Sequence, residues 1–207
     1  MNAGRPREFD MDQAVERALG VFWRRGYEGT SMSDLTDALG ITRASLYAAF
    51  GNKEGLFRRV MDRYEARAGT YRIAADRAPT ALEAVRLLLN GPVELHGNKQ
   101  NPPGCLGVQG ALVCGEESEA VRNDLAARRD RGEAAIRRRL RRAAKEGDLP
   151  ANEDPADLAR YLSALIYGMA VLAAGGATQK ELQGVADIAF HHWPSARGSS
   201  RTRDKPS

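Results

Sequence analysis

The sequence has few of the features that mark secreted, membrane or cross-linked proteins. Only 2 cysteines occur among 207 residues, too few to hold a fold together by disulfides, which indicates a reducing compartment. Residues 1–8 carry no apolar stretch, so no signal peptide is expected there. The longest mostly apolar segment, 162–176, is shorter than the roughly 20 residues of a membrane span. We therefore expect a cytoplasmic protein with no membrane partner.

Strand-forming patterns are also scarce. Aromatic residues make up 6% of the sequence, and no segment sustains the alternation of apolar and polar residues that is typical of a half-buried strand. Apolar residues instead recur at helical spacing between glycines and prolines, and their 43% share is enough to build a core. The sequence therefore predicts an all-α fold.

The helical pattern divides into two units. Residues 8–68 predict an N-terminal three-helix helix-turn-helix domain, followed by a further helix from Lys53 to about residue 72. Residues 79–194 predict a C-terminal helical ligand-binding and dimerisation domain. Residues 195–207 are polar and basic without an apolar anchor, so a disordered tail is expected.

The segment 30–53 carries the most specific pattern. Ser31 with Asp34 predicts a capping box at the start of one short helix, and Thr42 can cap the next. Gly40 between them supplies the positive φ that turns the chain sharply. Two short helices joined by about three residues are typical of a helix-turn-helix, which places the second helix in the major groove of double-stranded DNA.

The outward face of that second helix suits a DNA groove because most of its side chains are small. Arg43 can donate to both acceptors of a guanine edge, and Ser33 and Ser45 are lesser base or phosphate contacts. Thr42, Tyr47 and Lys53 are placed to hold phosphates. Arg5 and Arg7 precede the first helix and predict a DNA-contacting arm. DNA binding would associate the protein with the nucleoid.

These residues also support a family resemblance. The chain has a Gly26-Tyr27-x-x-Thr30-Ser31 corner, the turn Gly40, a Leu46-Tyr47 pair and a Phe50-Gly51-Asn52-Lys53-Glu54 exit. Over about residues 8–68 it resembles the DNA-binding domain of TetR-family transcriptional regulators. The resemblance implies DNA contacts at Ser31, Ser33, Thr42, Arg43, Ala44, Ser45, Tyr47 and Lys53. It also implies a dimer that represses by occupying an operator until a small molecule binds.

The C-terminal unit offers candidates for that ligand and for that dimer. Apolar residues on the helices of residues 80–175 predict an effector pocket at Leu88, Val108, Leu112, Tyr161 and Leu165. The last two helices are apolar on more than one face, so a second subunit is expected to cover part of them. The predicted dimer interface comprises Tyr167, Met169, Leu172, Val185 and Ile188.

Other features favour ordinary structural roles. The arginine run 137–142 predicts the solvated face of a long helix, and Cys105 and Cys114 are expected to be buried structural residues, although a redox role stays open. The 3 histidines lack metal-ligand spacing, and no catalytic constellation or phosphate-binding glycine loop occurs. No metal, cofactor or enzymatic activity is expected.

We therefore predict a sequence-specific DNA-binding transcriptional regulator, a dimeric repressor released from a palindromic operator by an unidentified small-molecule effector. Two alternatives remain at this point. One is a regulator or activator that binds DNA without an effector. The other is a helical ligand-binding protein or enzyme that keeps the helix-turn-helix as scaffold.

Overall fold

A computed structural model describes residues 10–98, 100–109, 115 and 118–194. These residues form ten helices, and among them there is no strand. Arg5, Arg7, Leu112, Cys114 and the tail 195–207 lie outside the described residues. The helices are α1 Met11–Arg25, α2 Met32–Leu39, α3 Arg43–Phe50, α4 Lys53–Ala68, α5 Thr70–Arg77, α6 Ala81–Gly97, α7 Leu106–Gln109, α8 Glu119–Lys145, α9 Pro155–Ala174 and α10 Gln179–His191.

Helices α1–α4 pack around an aromatic core. The rings of Phe22 and Phe57 meet edge to face with centroids 5.0 Å apart, and Trp23 meets Tyr64 in the same way at 4.8 Å. Buried aromatic pairs of this geometry contribute packing energy beyond the area they remove from water. This core fixes the angles at which α2 and α3 leave the rest of the unit.

The break between α4 and α5 corrects the sequence prediction of a single helix to about residue 72. Helix α4 ends at Ala68, and at Gly69 the Glu65 carbonyl comes within 2.5 Å of where a Cβ would stand. The segment 69–78, which the prediction left between the two domains, contains α5. Ala75 and Ala78 are buried in the core of the C-terminal helices, because α5 packs against α6.

Helices α6, α8, α9 and α10 enclose the second core with α5. By length and apolar composition, the 20 residues of α9 could cross a membrane, which corrects the shorter apolar span read from the sequence. In this fold α9 instead packs against α6 and α8, and it buries Leu162, Ile166 and Met169 in the second core. That is the position of a core helix.

The two units share part of their packing. Leu106 of α7 and Val121 and Leu125 of α8 are buried in the same cluster as the N-terminal aromatics. The Trp23 indole N–H donates to the Gly104 carbonyl over 2.8 Å, which ties α1 to the segment before α7. The helix-turn-helix is therefore seated directly on the C-terminal unit.

Candidate nucleic-acid interface and regulatory cavity

The turn between α2 and α3 has the conformation that the sequence predicted. Gly40 ends α2 in the left-handed region with φ 69° and ψ 33°, a conformation in which a side chain is strained. The inward side chains Leu35, Leu39, Leu46 and Phe50 are buried. The turn and this small core hold α3 at the surface with its opposite face outward.

The outer face of α3 is open to solvent. The predicted contacts Arg43, Ala44, Ser45 and Tyr47 are all exposed there, and so is Ala48. The Arg43 Nη2 donates to the Tyr47 hydroxyl over 3.4 Å, and the guanidinium lies 5.7 Å from the Tyr47 ring centroid. One long cation therefore projects from a surface whose other side chains, apart from Tyr47, are small.

Several predicted contacts also serve as helix caps. The Thr42 hydroxyl accepts from the Ser45 backbone N–H over 3.1 Å and lies 2.9 Å from the Ser45 hydroxyl. The Ser31 hydroxyl accepts from the Asp34 backbone N–H over 3.1 Å, and the Asp34 carboxylate accepts from the Ser31 backbone N–H over 2.9 Å, forming the predicted capping box. The Ser31 hydroxyl also donates to the Asp34 carboxylate over 2.7 Å. These side chains fix the N-termini of α2 and α3. Their contacts with DNA stay predictions.

The capping box also lowers the pKa of the Asp34 carboxyl group. The Ser31 backbone N–H, the Ser31 hydroxyl and the Arg25 guanidinium all stabilise the carboxylate and lower the pKa of Asp34 to about 2. Asp34 therefore keeps its charge at neutral pH, where it pairs with Arg25 of α1. This ion pair joins α2 to the helix that carries the aromatic core.

The remaining predicted contacts lie beside α3. Ser33 is exposed on α2, and Lys53 is the first residue of α4, which Asn52 caps by accepting from the Gly55 backbone N–H over 2.7 Å. The Lys53 Nζ lies 4.2 Å from the Tyr27 ring centroid. An ammonium at a helix N-terminus is well placed for a phosphate, because the backbone N–H groups there also favour an anion.

A cavity of about 60 Å³ lies where the N-terminal unit meets the C-terminal helices, and we call it the joint cavity. Helix α4 contributes Met61 and Tyr64 to its wall, and α9 contributes Ile166 and Tyr167. The sequence did not single out most of these residues, because they come from segments far apart in the chain. The wall of the joint cavity also includes Arg72, His96, Cys105, Val108 and Arg128.

The joint cavity holds polar groups in an apolar setting. Burial lowers the pKa of His96 to about 4, so its ring is neutral at pH 7, and its buried Nδ1 has no hydrogen-bond partner among the described residues. Burial, with the neighbouring Cys105, raises the pKa of Tyr64. Cys105 is itself only half-buried, so the prediction of a buried structural cysteine is wrong for this residue.

Arg128 joins the two units beside the joint cavity. Its guanidinium contacts Asp62 and Glu65 of α4 and Asp124 of its own helix α8, each over 2.8 Å. Burial alone would lower the pKa of Arg128, but hydrogen bonds to Asp124 and Asp62 and the charge of Glu65 raise it. A largely buried cation with three carboxylates resists separation, because breaking one pair leaves a charge poorly compensated.

The predicted effector residues do not line one cavity. Val108 lines the joint cavity, whereas Leu88 lies in a second cavity between α5 and α8. Leu165 packs against the C-terminal core, and Tyr161 is exposed. Helix α9 is apolar nearly all round, so its apolar side chains point to the core, to solvent and to the cavity, which sequence periodicity could not separate.

The predicted dimer residues also divide. Met169 is 1% exposed and offers no free surface, which corrects the prediction for this residue, whereas Tyr167 is half-buried with its hydroxyl 3.5 Å from the Arg129 carbonyl. Val185 is half-buried, while Leu172 and Ile188 are 49% and 66% exposed. The exposed or half-buried positions on one side of α9 are apolar or small: Tyr161, Ala164, Leu165, Gly168, Val171, Leu172 and Gly175.

Two further predictions concern charged and metal-binding residues. Arg139 is buried and donates to the Ala78 carbonyl over 2.9 Å, so it does not belong to the solvated face predicted for the run 137–142. Within the described ranges, no group of three or more His, Cys, Asp or Glu side chains is arranged to hold a metal ion.

Comparison with known proteins gives two family matches. The profile described as "Bacterial regulatory proteins, tetR family" matches residues 14–60, which span α1–α3 and the first half of α4. The profile described as "Tetracyclin repressor-like, C-terminal domain" matches residues 81–186, which is about half of the 207 residues. Together these matches cover both units.

Individual proteins are similar in sequence to this chain, two of them over most of its length. The HTH-type transcriptional repressor ComR of Escherichia coli K12 is 33% identical over 193 residues, 92% of each protein. The repressor BdcR of the same strain is 49% identical over 61 residues, 30% of this chain and 31% of BdcR. A cysteine mutant of the regulator CifR, solved with a 26-base-pair operator DNA, has a TM-score of 0.87 and 43% identity, covering 92% of this chain and all of CifR.

Proposed function

The chain belongs to the TetR family of DNA-binding bacterial transcriptional regulators, and we propose that it is a dimeric repressor that a small molecule releases from a palindromic operator. A family of regulators of this kind acts in the cytoplasm, on the nucleoid. Because transcriptional regulators are not enzymes, we assign no catalytic role to the polar groups of the joint cavity.

The exposed face of α3 is the observation that carries this proposal. Its small side chains allow the helix backbone to approach base edges closely, and Arg43 is the one long donor available there for a guanine. CifR, which shares 43% identity, was solved with operator DNA. We assign base reading to Arg43 and phosphate contacts to Thr42, Tyr47 and Lys53.

The apolar side of α9 supports a dimer. Six successive positions on that side of α9, and Gly175 just beyond its end, carry no charge, and Val185 and Ile188 of α10 are further apolar positions that are half-buried or exposed. A Cβ added to Gly168 or Gly184 would meet no atom within 4 Å, so both positions leave room for close helix approach. Paired α9 and α10 helices would form a four-helix bundle and bury this surface.

A dimer places two copies of α3 on one duplex. Identical recognition helices related by a two-fold axis meet successive major grooves when their centres are about 34 Å apart. The operator should therefore be an inverted repeat. A change in that separation is sufficient to lower operator affinity, because both helices must dock together.

The joint cavity is the proposed effector site because α4 forms one of its walls, and because its volume of about 60 Å³ is below the roughly 300 Å³ of a small-molecule site, an effector has to displace its walls to enter. Helix α4 packs on α1, and it is held to α8 by Arg128. A small molecule bound there would press on the contact between the two units. It would release DNA only by binding the state with wrongly spaced recognition helices more tightly than the DNA-bound state.

Selection from random DNA tests the proposal. Purified protein should enrich an inverted repeat, and a selected site should bind at least a thousandfold more tightly than shuffled DNA at 150 mM salt. Lys53→Ala should weaken binding to every sequence and reduce the slope of log affinity against log salt by about one. Absence of any preferred sequence would contradict the proposal.

A further inference from the structure

A second cavity, of about 310 Å³, opens between α5 and α8, and we call it the arginine cavity. Its volume lies at the lower end of the range of small-molecule sites, about 300–1,000 Å³. Among its lining residues only Arg72 also lines the joint cavity. It is therefore a separate site.

The charges around the arginine cavity are strongly unbalanced. Arg72, Arg77, Arg138 and Arg139 line it, against a single carboxylate, that of Asp76. No carboxylate of the described residues lies within ion-pair distance of any of these four guanidiniums. Elsewhere in the fold, by contrast, Arg25, Arg63, Arg67 and Arg128 all have carboxylate partners.

Arg139 is the most unusual member of this group. The residue is 2% exposed, and although its Nη2 donates to the Ala78 carbonyl, its buried Nε and Nη1 have no hydrogen-bond partner among the described residues. Burial, together with the nearby Arg142, lowers the pKa of Arg139, although the carboxylates of Glu146, Asp148 and Asp76 act in the opposite direction. A buried guanidinium with unpaired donors is costly, and an anion is the ligand that removes the cost.

The rest of the arginine cavity is apolar. Ala75, Leu88 and Ile136 are buried beneath it, and Ile73 stands at its rim with 56% of its surface exposed. Covering this isoleucine with an apolar group is favourable, because it removes apolar surface from water. The cavity thus combines a cationic wall with an apolar floor and rim.

We propose that the arginine cavity binds a small organic carboxylate. The carboxylate group lies against Arg139 and Arg72, and the apolar body covers Leu88, Ile136 and Ile73. A carboxylate suits this site because it accepts charge-assisted hydrogen bonds from guanidiniums while its body removes the Ile73 side chain from water.

Calorimetric titration of the full chain with hexanoate and benzoate tests this proposal. Benzamide serves as the uncharged match for benzoate, and inorganic phosphate tests whether charge alone is enough. Benzoate or hexanoate should bind at least tenfold more tightly than benzamide and than phosphate. Equal affinities for benzoate and benzamide, or no binding of either carboxylate, would overturn the proposal.

Variants then locate the bound carboxylate. Arg139→Met should reduce affinity at least tenfold, and Ile73→Glu should reduce it at least fivefold by placing a negative charge at the rim. Because Ile73 is exposed and does not line the joint cavity, its variant remains informative if Arg139→Met fails to fold. The control Arg141→Met, on the exposed surface of α8, should change affinity less than twofold. Unchanged affinity in Ile73→Glu would overturn the assignment.

Discussion

Arg43 and Tyr47 are the long side chains on the outer face of α3, and each steadies the other. The hydroxyl of Tyr47 and the face of its ring both attract the guanidinium, which is thereby held along the helix surface. A side chain positioned in this way loses less rotamer freedom when it binds a base. We therefore expect the proposed base reading by α3 to depend on few atoms.

Replacing Arg43 by alanine should relax selectivity at one base pair of each half-site. A bidentate arginine–guanine contact is worth about 1–3 kcal/mol of discrimination, so that preference should fall roughly 5- to 150-fold. Competition binding with single-base operator variants measures the change. Arg141→Ala on α8 is the matched control and should leave selectivity intact. An Arg43→Ala protein with unchanged base preference would remove Arg43 from the reading role.

His96 should make stability depend on pH. Its folded pKa of about 4 lies below its ordinary value of 6.5, so below pH 6.5 the unfolded chain takes up a proton that the folded chain does not. The free energy of unfolding should decrease from about pH 6.5 down to pH 4, by at most about 1.4 kcal/mol per pH unit. Urea unfolding at several pH values measures the free energy of unfolding of the protein and of His96→Gln. Equal slopes of this free energy against pH for the two proteins would contradict the prediction.

The exposed face of α3 could be predicted from the sequence, whereas the residues of the joint cavity could not. Arg43, Ser45 and Tyr47 follow one another on a single short helix, so helical periodicity alone separates them from the buried Leu46 and Phe50. His96 and Arg128 belong to helices brought together only by the tertiary fold. Nothing in the local sequence of either residue indicates the other.

At the scale of elements, local signals decided where most helices begin. Ser31 and Thr42 cap helices as the sequence predicted, and Asn52 and Thr80 also act as caps, because each capping bond forms within three residues of the cap. The break at Gly69 was missed because glycine is also tolerated inside helices. What ends α4 there is the packing of α5 on α6, a contact distant in the sequence.

The turn at Gly40 gives a prediction for this scale. Gly40→Ala should lower the free energy of unfolding by about 1–2 kcal/mol, since φ is +69° at this position. The control Gly20→Ala, inside α1 where an added Cβ would make ordinary contact with the Arg24 guanidinium at 3.5 Å or more, should instead raise it by about 0.5–1 kcal/mol. Urea unfolding of both variants measures the two changes in the free energy of unfolding. We expect these changes to have opposite signs at the two positions.

At the scale of the whole molecule, the uncharged side of α9 and the exposed Ile188 are apolar positions that the other described residues leave exposed or half-buried. The sequence predicted a partner for such a surface, and that partner stays a prediction, but the sequence did not separate the exposed residues from the buried ones. Met169 and Leu172 lie three residues apart on the same apolar helix, and only the position of α6 and α8 decides which of them is buried.

Leu172→Glu should split the dimer. A glutamate on the apolar side of α9 would place a charge from each chain in the proposed apolar interface, and dissociation should rise at least a hundredfold. Light scattering after size-exclusion chromatography measures the mass at micromolar concentration. Leu82→Glu, at an exposed position of α6, is the control and should stay dimeric. A dimeric Leu172→Glu protein would place the interface elsewhere.

The cluster in which Leu106, Val121 and Leu125 share a core with Trp23 and Phe57 also bears on how such a protein can be cut or recombined. A fragment truncated after α4 would leave Trp23 without its Gly104 acceptor and expose the apolar patch that α7 and α8 cover. We expect such a fragment to aggregate when produced alone. Chimaeras with other regulators should succeed only when α7 and the first half of α8 are exchanged together with the N-terminal helices.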